Sequence, residues 1–219
     1  MARLGERRSP RRSLACPFGR LGYVITAQVW RKAVQPHLSD PGAWEFRGKR
    51  VHRLPWEWVM AGVLGEGSSH RDHVYVWALA MPLFVPSDHV TLDFSQRVRP
   101  SGRFGLDSPE LLAEAIRSAL AGVESEATYL QRWATQNPAD EAGAYALVLL
   151  GRKSEAAAAL ADARDRLVED GRTWALHNAE RIATVESVLR EGGLAGAQAL
   201  LAGWRDQTAR SVKLLEGPG

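Results

Sequence analysis

The residues best suited to chemistry gather in two short stretches. Glu66, His70, Asp72 and His73 fall close together, and Asp88 and His89 follow in a later loop. Imidazoles and carboxylates are the usual protein ligands of zinc and the usual general acids and bases. If the two loops meet in space, they could build a metal site or an acid/base pair, with His70, Asp72, His73 and Asp88 as the residues to mutate first. The spacing does not demand this. Two histidines three positions apart share a side on a helix but not on a strand, and this pair leads into a strand-like run. Polar residues that finish loops and strand ends would give the same pattern. Ser68 and Ser69 lack the strand-turn-helix elbow of a serine nucleophile. The reading therefore assigns no metal and no cofactor.

The elements that would carry these residues change character along the chain. Residues 1 to 109 contain 8 Ala and 5 of the 8 Trp, whereas residues 110 to 219 contain 24 Ala. The first half reads as strands punctuated by Pro, the second as helices. With 219 residues, 45% hydrophobic and 24% charged, the composition is that of a globular protein with a folded core. The expected organisation is a basic tail over 1–20, an α+β domain over 21–100 and a helical domain over 107–217.

The net charge of +3 is unevenly placed. Arg3, Arg7, Arg8, Arg11, Arg12 and Arg20 against Glu6 put +5 on the first 20 residues, which leaves −2 for all the others. A basic face that neutralises phosphates is therefore not expected in the folded part, and a nucleic-acid role would rest on the N-terminal arm. That arm lacks a periodic apolar pattern; it reads as a solvated tail, a targeting segment or sequence upstream of the true start. Cys16 is the single cysteine, so no internal disulfide and no cysteine-type zinc site can form. The residues before it are polar where a secretion signal needs an apolar run, and no window reaches the roughly 20 apolar residues of a membrane helix. A cytoplasmic setting is expected. The preference for 24 Arg over 4 Lys suggests a bacterial source.

In the first half, Ile25, Val29 and Ala33 form a helical stripe that Pro36 ends. Trp44-Glu45-Phe46 and Val51-His52-Arg53-Leu54 flank Gly48 as a hairpin. Trp56 to Leu64 and His73 to Met81 read as strands, the second apolar on both alternating sets and hence central. Val90, Leu92 and Phe94 alternate with polar residues as a further strand. The sum is a helix plus a four- or five-stranded, mostly antiparallel sheet. Trp44, Trp56, Trp58 and Trp77 could stack on bases or sugars, but with no basic groove around them they read as core. This half resembles small bacterial α+β domains of unknown role that open with a helix ending in Pro.

The second half starts at Asp107-Ser108-Pro109-Glu110, with a capping residue, a first-turn Pro and an acidic first turn. Further helices are expected over 126–136, 139–150, 154–169, 173–190 and 194–215, which makes an irregular stack of helical hairpins. Gly151-Arg152-Lys153-Ser154-Glu155-Ala156 with Leu160 and Ala163 resembles half of a tetratricopeptide repeat. The same offsets recur at Gly192, Ala197, Leu201 and Trp204, and partly at Gly122, Ala127 and Ala134. The intervals between the glycines are 29 and 41 residues, where a regular array repeats every 34. A plain helical bundle with Gly turns is the alternative.

The resemblance implies a scaffold that offers a groove to a protein partner, with Arg164, His177, Asn178 and Glu180 as candidate partner contacts. The leading expectation is thus a non-enzymatic interaction protein. The alternatives are an enzyme or metal-binding protein built on the 66–73 and 88–93 loops, and a nucleic-acid binder acting through its N-terminal arm. Oligomeric state is left open.

Overall fold

A computed structural model describes residues 25–69, 73–98, 103–105 and 107–215. The chain is α+β. An antiparallel sheet runs in the order β1 (Trp44–Arg47), β2 (Arg50–Arg53), β3 (Val59–Gly67), β4 (His73–Pro82) and β5 (Gln96–Arg97), and β6 (Phe104–Gly105) also pairs with β4. Before it lies α1 (Ala27–Val34); after it come α2 (Pro109–Ala121), α3 (Glu126–Gln136), α4 (Glu141–Leu149), α5 (Lys153–Asp170) and α6 (Thr173–Ser211).

The β1–β2 hairpin closes through Gly48-Lys49, and Gly48 sits at φ 62°, the left-handed region that tight hairpin turns need. Strand β4 is the middle of the sheet, with β3 on one side and β5 and β6 on the other. Its run of apolar residues is therefore buried from Val76 through Met81 except at the half-buried Trp77. Trp44, Trp56 and Trp58 are half-buried and pack at the margins of the cores.

Two expected features differ. Thr26 caps α1 by accepting from Val29 N at 3.2 Å, but the buried residues are Ile25, Trp30 and Val34, while Val29 is 39% exposed. Trp30 decides the helix's rotation, because its ring fills the space over Gly65, where a Cβ would lie 2.8 Å from ring carbons. The segment 90–94 is not a strand. Ser95 Oγ accepts from Ala80 N at 3.1 Å and sits 3.3 Å from Ala80 O, so a side chain occupies the edge of β4 and pairing begins only at Gln96. Val90, Leu92 and Phe94 are apolar because they pack onto cores from a loop.

The sheet has two covered faces. On one, Val51, Val63, Val74 and Val76 pack with α1 and α2, and farther along the same face Val59, Ala61 and Ala80 join the core of α3 to α6. Helices α3, α4, α5 and α6 pack each on the next, with Ala142 to Val148 of α4 entirely buried. On the opposite face Met60, Leu79, Met81 and Leu83 pack against Ala209, Val212 and Leu214 from the end of α6. That end reaches the sheet because α6 breaks at Gly193, whose φ 65° and ψ −164° no helix contains. Residues 173–192 pack on α5, and the following arm carries Trp204 to Tyr145 and Arg205 to Trp58. Among the described residues, no helix is long and apolar enough to cross a membrane.

Candidate functional site

Hairpin alternation sets an unusual group of side chains facing inward. The register pairs Glu45 with His52 and Arg47 with Arg50, and it pairs Arg50 with Leu64 and His52 with Gly62. Directly paired residues share a face, so Glu45, Arg47, Arg50 and His52 lie on the face that the end of α6 covers. Val51, between them, goes to the other core.

Arg50 is only 7% exposed. Its Nη2 donates to Val212 O at 2.9 Å, while its Nε has no hydrogen-bond partner. Burial and the neighbouring Arg47 hold its pKa below the ordinary arginine value, against the pull of Glu45. Glu45 is already ion-paired with Arg47. His52 is fully buried, its Nε2 3.2 Å from Glu45 Oε2 but not aligned for a hydrogen bond. Burial, aided by Arg50, lowers the His52 pKa to about 4, so the ring is neutral at neutral pH and adds no compensating charge. A buried guanidinium with an idle donor is costly unless something else completes it.

Arg50 opens onto a cleft of about 620 Å³ between the hairpin turn, the end of β3, the 90–92 loop and the turn after α6. Arg47, Lys49, Arg50 and Lys213 supply four cations, and Glu66 one carboxylate, which accepts from Trp77 Nε1 at 2.9 Å. Leu64, Val90, Leu92 and Val212 make the remaining wall aliphatic. Among the described residues, the lining contains no hydroxyl, thiol or imidazole side chain. The arrangement can attract and hold an anion.

The other candidate residues lie elsewhere. His70 and Asp72 are outside the described residues. His73 starts β4 opposite Gly105 and lines a separate cavity of about 690 Å³ with Arg103 and Asp107, whereas Glu66 lines the basic cleft. Asp88 and His89 are exposed and bond each other at 2.5 Å; the contact with His89 lowers the Asp88 carboxyl pKa. Among the described residues, no group of three His, Cys, Asp or Glu is placed to hold a metal. Arg164 ties α5 to Glu186 and to Asp165. Asn178 accepts from Arg181, which reaches Glu141 on α4 at 2.9 and 2.8 Å. His177 and Glu180 are exposed on α6.

No protein family matches the chain, and neither a curated protein nor a solved structure is significantly similar to it. The cleft thus stands on its own geometry. Sequence reasoning passed over Arg50 and Lys213, which lie 163 positions apart; the one local signal was Arg47-Gly48-Lys49-Arg50, three cations around a hairpin glycine.

Proposed function

We propose that the protein is a non-enzymatic receptor for a small anionic molecule, bound in the cleft between the β1–β2 hairpin and the turn after α6. The observation that carries this reading is Arg50: a buried, incompletely hydrogen-bonded cation in the lining of a cleft that holds three more cations. The volume falls within the roughly 300–1,000 Å³ typical of small-molecule sites. The test is the melting temperature of the full chain with millimolar organic anions. Selected anions raise it for the wild type and not for Arg50→Met; equal shifts in both proteins overturn the reading.

A second reading fits the helical stack, which supports docking of a protein partner in a bacterial cytoplasm. Val168, Trp174 and Leu176 are large apolar side chains exposed on either side of the Gly171 turn between α5 and α6. The Arg172 guanidinium lies 4.8 Å from the Trp174 ring centre. Tryptophan beside arginine is typical of interface anchors, and the tetratricopeptide-like glycine and alanine spacing accords with such a surface. Arg164, His177, Asn178 and Glu180 would border it. A stoichiometric partner that copurifies from the native host with the wild type and not with Trp174→Asp supports this reading; retention by the variant refutes it.

A further inference from the structure

We infer that the ligand is an aliphatic anion: a saturated alkyl or acyl body ending in a phosphate or carboxylate head. This rests on the receptor reading above and names its ligand class. The head follows from the charges. Four cations face one carboxylate across the lining, and Arg47 is already engaged by Glu45. That leaves Lys49, Lys213 and the Arg50 guanidinium for one or two negative charges, too few for a polyphosphate. Guanidinium and ammonium donors suit oxygen anions of either kind.

The body follows from what the remaining wall contains. Leu64, Val90, Leu92 and Val212 are aliphatic, and among the described residues no aromatic ring lines the cleft. A nucleobase or aromatic acid normally binds by stacking on such a ring; here it has none. A flexible hydrocarbon chain needs only apolar area, and each methylene it buries should tighten binding about fourfold. The indole of Trp77, bonded to Glu66 at the cleft, supplies a reporter for occupancy.

The test is tryptophan fluorescence and calorimetry on the full chain with inorganic phosphate, butyl phosphate, octyl phosphate, octanoate and octyltrimethylammonium, all below micelle-forming concentrations. Octyl phosphate should bind at least tenfold more tightly than inorganic phosphate and more tightly than butyl phosphate, and the tighter of octyl phosphate and octanoate identifies the head. Octyltrimethylammonium should not compete. Arg50→Met and, separately, Lys213→Gln should each weaken binding tenfold or more while leaving the circular dichroism unchanged. Lys213→Gln, at an exposed position, keeps the test independent of any folding defect at Arg50. Equal affinity for inorganic and octyl phosphate, lost in both variants, overturns the aliphatic assignment but keeps the anion receptor. Equal binding of the ammonium compound, or binding indifferent to both variants, overturns both.

Discussion

Arg50 and Val212, 162 positions apart, are joined by a single hydrogen bond of 2.9 Å that fastens the first hairpin to the turn after the last helix. It is the one hydrogen bond the buried guanidinium makes to a described residue, and it leaves the Nε unmatched. Exchanging a buried, incompletely paired charge for an apolar side chain of similar length is often neutral or stabilising. Arg50→Met should therefore raise ligand-free stability by about 1 kcal/mol in urea unfolding, even as anion binding disappears. A purely structural arginine predicts the opposite sign.

His52 gives the protein an acid-sensitive core. The folded protein holds the ring's pKa at about 4, against about 6.5 when unfolded. Between those values the unfolded chain binds more protons, so stability falls as pH drops through that window. The groups facing the ring are Arg50, Arg47 and Glu45, two cations and one carboxylate. About 2 kcal/mol should be lost between pH 7 and pH 5 from this group. Urea midpoints of wild type and His52→Gln, measured across that range, isolate it: the variant's profile should be flatter.

Glu126 joins the sheet to the helical stack. One of its carboxylate oxygens accepts from the backbone N–H groups of Glu57, Trp58 and Val59 at 3.1, 2.7 and 3.1 Å, which holds the entry to β3 against the first turn of α3. Glu126→Ala should cost about 2 kcal/mol and increase amide exchange at residues 57–59. Glu126→Gln keeps an acceptor oxygen and should recover more than half of the loss.

The break in α6 makes a paired prediction. Gly193 has open space where a Cβ would go, but its φ and ψ belong to a region only glycine enters readily. Gly193→Ala should cost about 1–3 kcal/mol. Gly203 sits in regular helix, also with open space around its Cβ, so Gly203→Ala should gain about 0.5–1 kcal/mol. Thermal unfolding of the two variants separates backbone strain from helix propensity.

Local rules made the hairpin at Gly48, the central position of β4 and the break between 190 and 194 legible in the sequence. Each depends on residues near one another in the chain. The rotation of α1 was not legible, because it depends on Trp30 finding Gly65, beyond two intervening strands. The 90–94 segment misled because apolar alternation records burial on two sides, which a loop between two cores provides as well as a strand does. The candidate cleft was hidden for a similar reason. Charge summed along the chain made the folded part look slightly acidic, whereas the sheet and the last turn gather Arg47, Lys49, Arg50 and Lys213 at one place. Nothing local marks Arg50 as buried; only its pairing opposite Leu64 and beneath Val212 does.

The contact of Ala209, Val212 and Leu214 with Met60, Leu79, Met81 and Leu83 also sets a timetable. During synthesis the sheet and the first four helices after β4 can assemble as they emerge, since their partners come close behind. One apolar face of that sheet must stay bare until residues 209–214 have left the ribosome. The aliphatic wall of the cleft is finished by the same turn. A product halted before residue 209 would leave that face open as an adhesive surface and the cleft without one of its walls.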